Sequence, residues 1–481
     1  MQSPETFNPA LYTSGKAQLL TRRLAADLDT PVGLYLKLCA AQPYSFLFES
    51  VEGGQTRGRY SFLGWNPDVV WRVTDGKAYL NDTPQSLPPL ESLRALWAES
   101  RFDVPPGLPP MASGLFGYLG YSAVRWLEPS IPDANPDPLG IHDAVMIRPR
   151  MLAIYDTIQD TLLLATPVYP EKNISVDAAH TAALARLDAA AQRLAEPLNN
   201  AAHALQPQPA TTATANLDSA GFKSIIAKAK DYIKAGDIFQ VVLSRRFTQG
   251  YTPPPFQFYR ALRRLNPSPF LFFLQFPGYA ISGSSPEILV RVRDGVVTLR
   301  PLAGTRPRGA DAAADLALEH ELLNDAKERA EHLMLLDLGR NDVGRVAAPG
   351  TVTAPAQFVI ERYSHVMHIS STVEGKLHPE KDALDAILAG FPAGTVSGAP
   401  KIRACQIIDE LEPVRRSFYG GAIGYLGATG EADTCIALRT ALLSKGTLTI
   451  QAGAGIVLDS DPEAELQETE NKARALLKAA V

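Results

Sequence analysis

Short, mostly apolar, strand-like runs mark the first part of the chain. Tyr44 to Phe48, Val69 to Val73 and Met151 to Tyr155 read as strands, since β-branched and aromatic residues suit a pleated surface. Asp177 to Leu194 shifts to the helical period and predicts one Ala-rich helix. From Glu196 to Ser219 no apolar period survives, and the Pro- and Thr-containing stretch reads as a linker or long surface loop. This divides the chain into an N-terminal domain over 1–195, a linker over 196–219 and a C-terminal domain over 220–481.

Helical and extended patterns interleave after the linker. Gly221 to Ala235 has helical spacing and Ile238 to Phe247 is extended. Ile288 to Val292 and Val296 to Leu302 flank Asp294-Gly295, a pair suited to a type I′ hairpin because both residues tolerate positive φ. Leu322, Leu323, Ala326, Ala330, Leu333 and Met334 predict one apolar helical stripe, and Pro400 to Leu411 and Glu463 to Ala480 two further helices. Hairpins mixed with helices, without regular strand–helix–strand alternation, predict an α+β fold.

Composition narrows the function classes. Lys and Arg total 46 against 51 Asp and Glu, a net charge of −5, with no long basic run. A nucleic-acid groove and an anionic membrane surface are therefore not expected. No apolar run of about 18 residues occurs, which argues against a membrane span. The three cysteines, Cys39, Cys405 and Cys435, are too few and too scattered for a disulfide framework or a metal knuckle, and a reduced, cytoplasmic setting is expected.

Candidate chemistry clusters late in the chain. RPLAGTRPRG (300–309), AEHLMLLDLGRND (330–342), FPAGTVSGAPKIRA (391–404), YGGAIGY (419–425), IALRTAL (436–442), AGAGIV (452–457) and ETENKA (468–473) repeatedly set glycines beside charged residues. Bare backbone lets N–H groups approach a small anion, and Arg can clamp a carboxylate through two hydrogen bonds. A small, carboxylate-bearing ligand is expected.

Together and in this order, these segments resemble the chorismate-utilising enzymes, in particular the large (component I) subunits of anthranilate synthases. The resemblance is strong from about residue 221 onward. Before that it is weaker and rests on FLFES (46–50) and RGRYSFLG (57–64). It implies large antiparallel sheets flanked by helices. It also implies conversion of chorismate and ammonia to anthranilate and pyruvate, the first step of tryptophan biosynthesis.

The site residues follow from the resemblance. Local spacing alone makes Glu331 a solvated helix glutamate and Glu468 the partner of Lys472 in an i,i+4 ion pair. The resemblance instead makes Glu331 and Glu468 the ligands of a Mg²⁺ that binds the substrate ring carboxylate, as suits a hard cation. Glu287 corresponds to the general acid for the departing C4 hydroxyl, and His368 to a group assisting pyruvate elimination. Gln240 and Thr395 join them as catalytic candidates. Tyr425, Arg439, Lys472 and the backbone of Gly453, Ala454 and Gly455 correspond to substrate-binding groups, with Ala303, Gly304 and Thr305 beside the ring. Asp337, Arg340, Asn341 and Asp342 read as structural.

Two positions select the reaction within the family. Relatives that make aminodeoxychorismate carry at Ala303 a lysine that attacks the ring, and a methyl group cannot. Relatives that add water carry a basic lysine at Gln240, whereas ammonia already has its lone pair and needs no such base. Release of aminodeoxychorismate or aminodeoxyisochorismate, and a catalytically silent tryptophan-responsive subunit, are the rival readings. No cysteine has a glutaminase setting, so a separate glutamine amidotransferase subunit is expected as partner. Tryptophan feedback is expected at Phe48, Ser50, Pro269, Phe270 and Leu271, where Phe48, Phe270 and Leu271 replace the Leu, Tyr and Met of relatives.

Overall fold

A computed structural model describes residues 7–52, 56–198, 205, 211–363 and 366–480. Every strand pairing among them is antiparallel, and twelve α-helices pack around the sheets, so the molecule is α+β as expected. Two long strands, Thr56–Thr74 and Ala144–Asp156, hydrogen-bond along their length with a register shift at Pro67. Proline cannot donate to a ladder, so the irregularity falls where pairing is already interrupted.

Each end of this pair seeds one layer of strands. At one end Ser45–Glu52 pairs with Thr56–Thr74 and then with Phe270–Phe276, and Tyr279–Ser285, Thr440–Ser444, Thr447–Ile456 and Gln240–Gly250 follow. At the other end Gly114–Leu119 pairs with Ala144–Asp156, and Ala422–Gly427, Ala432–Ile436, Ile288–Arg293, Val296–Leu299 and Val366–Lys376 follow. Apolar side chains from both layers meet between them: Phe46 stacks on Phe116 at 4.7 Å, beside Phe272, Ile281 and Tyr425.

Strands from either side of the polar stretch thus pair directly, and the core runs through both. Of the expected linker, residues 199–204 and 206–210 lie outside the described residues. Thr214–Ala215 forms a short strand against Thr248 and Phe247, and Ser219 already opens the helix Ser219–Lys234.

Local rules account for most elements. Asp294 (φ 50°) and Gly295 (φ 72°) make the expected turn. The stripe from Leu322 to Met334 is a different matter, because it spans two helices, Ala312–Asn324 and Ala326–Gly344. Asp325 breaks them and caps the second by accepting from the N–H groups of Lys327 and Glu328. The break rotates the buried face to His332, Leu335, Leu336 and Gly339, and Leu333 is half exposed. No helix among the described residues is long and apolar enough to cross a membrane.

Candidate active site

The chemistry-bearing residues arrive on several strands, two helices and the turns between them. Glu287 sits between the strands Tyr279–Ser285 and Ile288–Arg293, fully buried. Its carboxyl accepts a hydrogen bond from the Thr395 hydroxyl at 3.0 Å. Burial pushes its pKa up to about 8, against the weaker opposing pull of Thr395, a backbone N–H and the positive charges of Lys472 and Arg439. A carboxyl so held keeps its proton at neutral pH, which a general acid requires.

His368 lies on the strand Val366–Lys376 with its Nδ1–H donating to the Gly304 carbonyl oxygen at 2.8 Å, the Thr305 hydroxyl 3.1 Å away. Gly304 has φ +64°, a conformation that turns its carbonyl toward the ring without a side-chain clash. That bond leaves Nε2 as the acceptor nitrogen, buried and with no hydrogen bond. Burial, with Arg439 and Lys472 nearby, lowers the His368 pKa to about 4, so the ring is neutral.

Gln240 begins the strand Gln240–Gly250 and donates from Nε2 to Glu331 Oε1 at 3.1 Å. Opposite it, Gly455 must be bare: a Cβ there would fall 2.4 Å from Gln240 Nε2 and 3.6 Å from Glu331 Oε1. A Cβ on Gly453 would fall 2.8 Å from the Tyr419 hydroxyl, and the Gly453 carbonyl accepts from Lys472 Nζ at 2.9 Å. Ala454 lies between these glycines on the same strand with its methyl in the core. Ala303 stands opposite Ile369, one residue from His368.

Two helices face each other with carboxylates. Glu328 and Glu331 on Ala326–Gly344 meet Glu465 and Glu468 on Pro462–Leu477, and the pKa of Glu331 is raised by burial first and then by Glu328 and Glu468. Lys472 pairs with Glu468 at 2.6 Å, and Arg306 reaches Glu328 at 3.3 Å. Among the described residues no three His, Cys, Asp or Glu side chains stand together as a ready ligand set. Two oxygen-donor glutamates on facing helices fit Mg²⁺, which keeps several waters and takes few protein ligands.

Tyr425 stands elsewhere. It lies on the strand Ala422–Gly427 against Phe62 and Phe116, with Asp433 and Arg293 as its charged neighbours. It lines a cavity of about 740 Å³ together with Phe48, Ser50, Pro269, Phe270 and Leu271. The expected pairing of Tyr425 with Arg439 is therefore replaced by one with the expected tryptophan-binding residues. Tyr419, in the turn before that strand, is the tyrosine whose hydroxyl reaches the glycine pair.

The floor and rim of this cavity are charged. Glu49 is clamped by Arg263 at 2.6 and 2.8 Å and by the Tyr259 hydroxyl at 2.5 Å, while Arg291 holds Asp433 at 2.9 Å. Pro286 and Ile288 line the cavity, and Glu287 between them faces Thr395.

Other charged residues are interlocked. Asp342 is buried and pairs with Lys401 at 2.8 Å, and Asp337 pairs with Arg340 on the surface. All three cysteines are buried and unpaired, and burial raises the pKa of each thiol.

Known proteins match this molecule along nearly its whole length. The family model described as chorismate binding enzyme covers residues 43–478. Anthranilate synthase component 1 of Cereibacter sphaeroides is 52% identical, over 100% of this chain and 97% of that protein. The protein of the same name from Mycolicibacterium smegmatis is 45% identical over 99% and 93%. The crystal structure of anthranilate synthase component I from Streptococcus pneumoniae superposes with a TM-score of 0.79 at 36% identity, covering 95% of this chain and 99% of that one. The menaquinone-specific isochorismate synthase MenF of Escherichia coli shares the fold, with a TM-score of 0.72 at 21% identity over 100% and 96%. A buried carboxyl kept protonated, a neutral histidine and a cationic pair, set in a fold shared with these proteins, identify the chain as a member of the chorismate-binding enzyme family.

Proposed function

We propose that this chain converts chorismate and ammonia to anthranilate and pyruvate, as the first step of tryptophan biosynthesis in the cytoplasm. The observation that carries the reading is the protonated Glu287 carboxyl, which stands with neutral His368 in the field of Arg439 and Lys472. Glu287 gives its proton to the C4 hydroxyl, which leaves as water while ammonia adds to the ring. His368 Nε2 then takes the ring proton as the enolpyruvyl group departs and returns it to the methylene carbon of the leaving group, giving pyruvate, its Nδ1–H remaining on the Gly304 carbonyl. Arg439, Lys472 and Tyr419 hold the enolpyruvyl carboxylate beside Gly453 and Gly455. Glu331 and Glu468 would hold Mg²⁺, which when bound would supply a positive charge for the ring carboxylate.

Ammonia as nucleophile is supported by Ala303 and Gln240. Neither can attack the ring or deprotonate water, and the Gln240 amide is already committed to Glu331. Ammonia comes from a separate glutamine amidotransferase subunit, a reading supported by the component 1 name of the relatives and by three buried thiols with raised pKa. The 740 Å³ cavity takes tryptophan as feedback inhibitor, its apolar walls receiving the indole and Ser50, Asp433 and the arginines its zwitterionic end.

The decisive experiment separates the nitrogen sources. The purified chain given chorismate, Mg²⁺ and an ammonium salt at alkaline pH is expected to make anthranilate, followed by fluorescence, with equimolar pyruvate. Glutamine in place of ammonium is expected to give nothing until the amidotransferase subunit is added. Chorismate consumption without pyruvate would move the chain to the aminodeoxy class, and no consumption would make it a silent binding subunit.

A further inference from the structure

Glu287 loses its proton once in every turnover and must recover it while buried and flanked by two cations that favour the carboxylate. A cavity of about 30 Å³ is lined by Glu287 and Thr395 together with Asp342, Leu335, Leu338 and Gly339. That volume is about the share of one molecule in liquid water.

The Asp342 carboxylate is incompletely satisfied. Asp342 Oδ2 accepts from Lys401 Nζ at 2.8 Å, while its Oδ1 is buried without a hydrogen bond of good geometry, the Asn341 amide lying alongside. Lys401 keeps 14% of its side chain exposed against 4% for Asp342, so the pair reaches from the cavity toward solvent. A buried carboxylate oxygen with no partner, on a residue that lines a cavity able to hold water, is where an ordered water has most to gain.

We infer that this passage returns the proton to Glu287, through a water between Glu287 and Asp342 and with Lys401 as the outer end. The inference rests on Glu287 being the general acid. After the C4 hydroxyl has left as water, Lys401 Nζ gives a proton to the Asp342 carboxylate. The neutral Asp342 carboxyl, rotating, passes that proton to the cavity water as the water gives one to the Glu287 carboxylate, so Asp342 ends as the carboxylate it began as and Lys401 recovers its proton from solvent. The reaction of chorismate with neutral ammonia consumes no net proton: the one that enters here balances the one lost from the added nitrogen, while the ring proton ends on the methyl of pyruvate. Asp342 and Lys401 act through Glu287 and do not touch the substrate. The charges facing the route are Arg439 and Lys472 at Glu287, and Lys401 and Arg345 at Asp342.

The test compares the first turnover with later ones. Anthranilate fluorescence is followed by stopped flow with the intact chain, saturating chorismate, Mg²⁺ and ammonium. In Asp342→Asn the first turnover should keep the wild-type rate. Later turnovers should slow by about tenfold or more, giving a burst of one anthranilate per site and a larger solvent deuterium effect on the steady state. Lys401→Met should behave alike and covers the case in which Asp342→Asn does not fold. A wild-type steady state in either folded variant, or a first turnover slowed as much as the later ones, overturns the inference. Glu287→Gln should lose the first turnover itself. A wild-type chain that makes no anthranilate overturns the functional reading and this inference with it.

Discussion

The two concave regions of the molecule differ in kind. The proposed catalytic cluster is tight: its glycines are bare because a Gln240 amide and a Tyr419 hydroxyl occupy the space a Cβ would need, and burial shifts Glu287 up and His368 down from their ordinary pKa values. The 740 Å³ cavity is roomy, with apolar walls and arginines and carboxylates already paired around its rim. Volume alone would have pointed to the second region. Chemistry needs groups shifted from their resting protonation states and held against water, whereas reversible binding needs space and complementary surfaces.

The contrast can be broken most forcefully at Glu287. Glu287→Gln should lower kcat by about 10³, within the range for loss of a general acid. In the wild type, kcat/KM for chorismate at fixed free ammonia should fall as pH rises through about 8, because only the protonated carboxyl can donate. The stability effect has the same sign. Since the folded pKa lies above that of a free Glu, the advantage of the buried acid is complete below the unfolded pKa and is lost as pH passes 8. Glu287→Gln should therefore melt higher than wild type at pH 9 and level with it near pH 4, by calorimetry.

A smaller effect is expected at the carboxylate helices. Glu331→Gln and Glu468→Gln should each cost about 10² in activity at standard Mg²⁺, with partial recovery at high Mg²⁺. Near-normal turnover in both variants would remove the metal from the site. The smallest effect on turnover belongs to the cavity. Ser50→Arg should leave ammonia-dependent activity within about twofold and raise the tryptophan concentration for half-inhibition by about tenfold or more, since it places a long cation where an amino-acid ligand sits. Loss of activity without loss of tryptophan binding would mean that the two regions had been assigned the wrong way round.

How much of this was legible in the sequence depended on whether a signal was local. The Asp294-Gly295 turn was, because φ > 0 at two successive residues leaves few choices. The break at Asp325 was not: its capping role is a local signal, but it is embedded in an apolar pattern that continues past it with altered phase. Glu331 and Glu468 were legible by resemblance alone, since each has a satisfying surface explanation at its own spacing. YGGAIGY offered two tyrosines, and the strand's parity separates them. Tyr425 shares the face of Ile423, which lines the large cavity, while Tyr419 precedes the strand and is free to turn toward Gly453. Asp342 and Lys401 belong to motifs noted for their charges, yet their pairing over 59 positions is invisible until the two helices that carry them are in place.

Pro286 and Ile288 belong to one cavity and Glu287 to the other site, so a single stretch of backbone is a wall of both. Tyr363 repeats the arrangement, lining the large cavity while its ring lies 5.6 Å from that of His368. A guest in the large cavity thus needs no long relay of side chains to be felt at the acid and the base, because each is one residue or one ring away. Communication between the sites becomes a matter of which backbone arrangement the guest prefers, and its reach is set by differential affinity for two arrangements of the same few atoms. By the same linkage, whatever factor a guest there imposes on the affinity for substrate, the substrate imposes on the affinity for the guest, whichever of them arrives first.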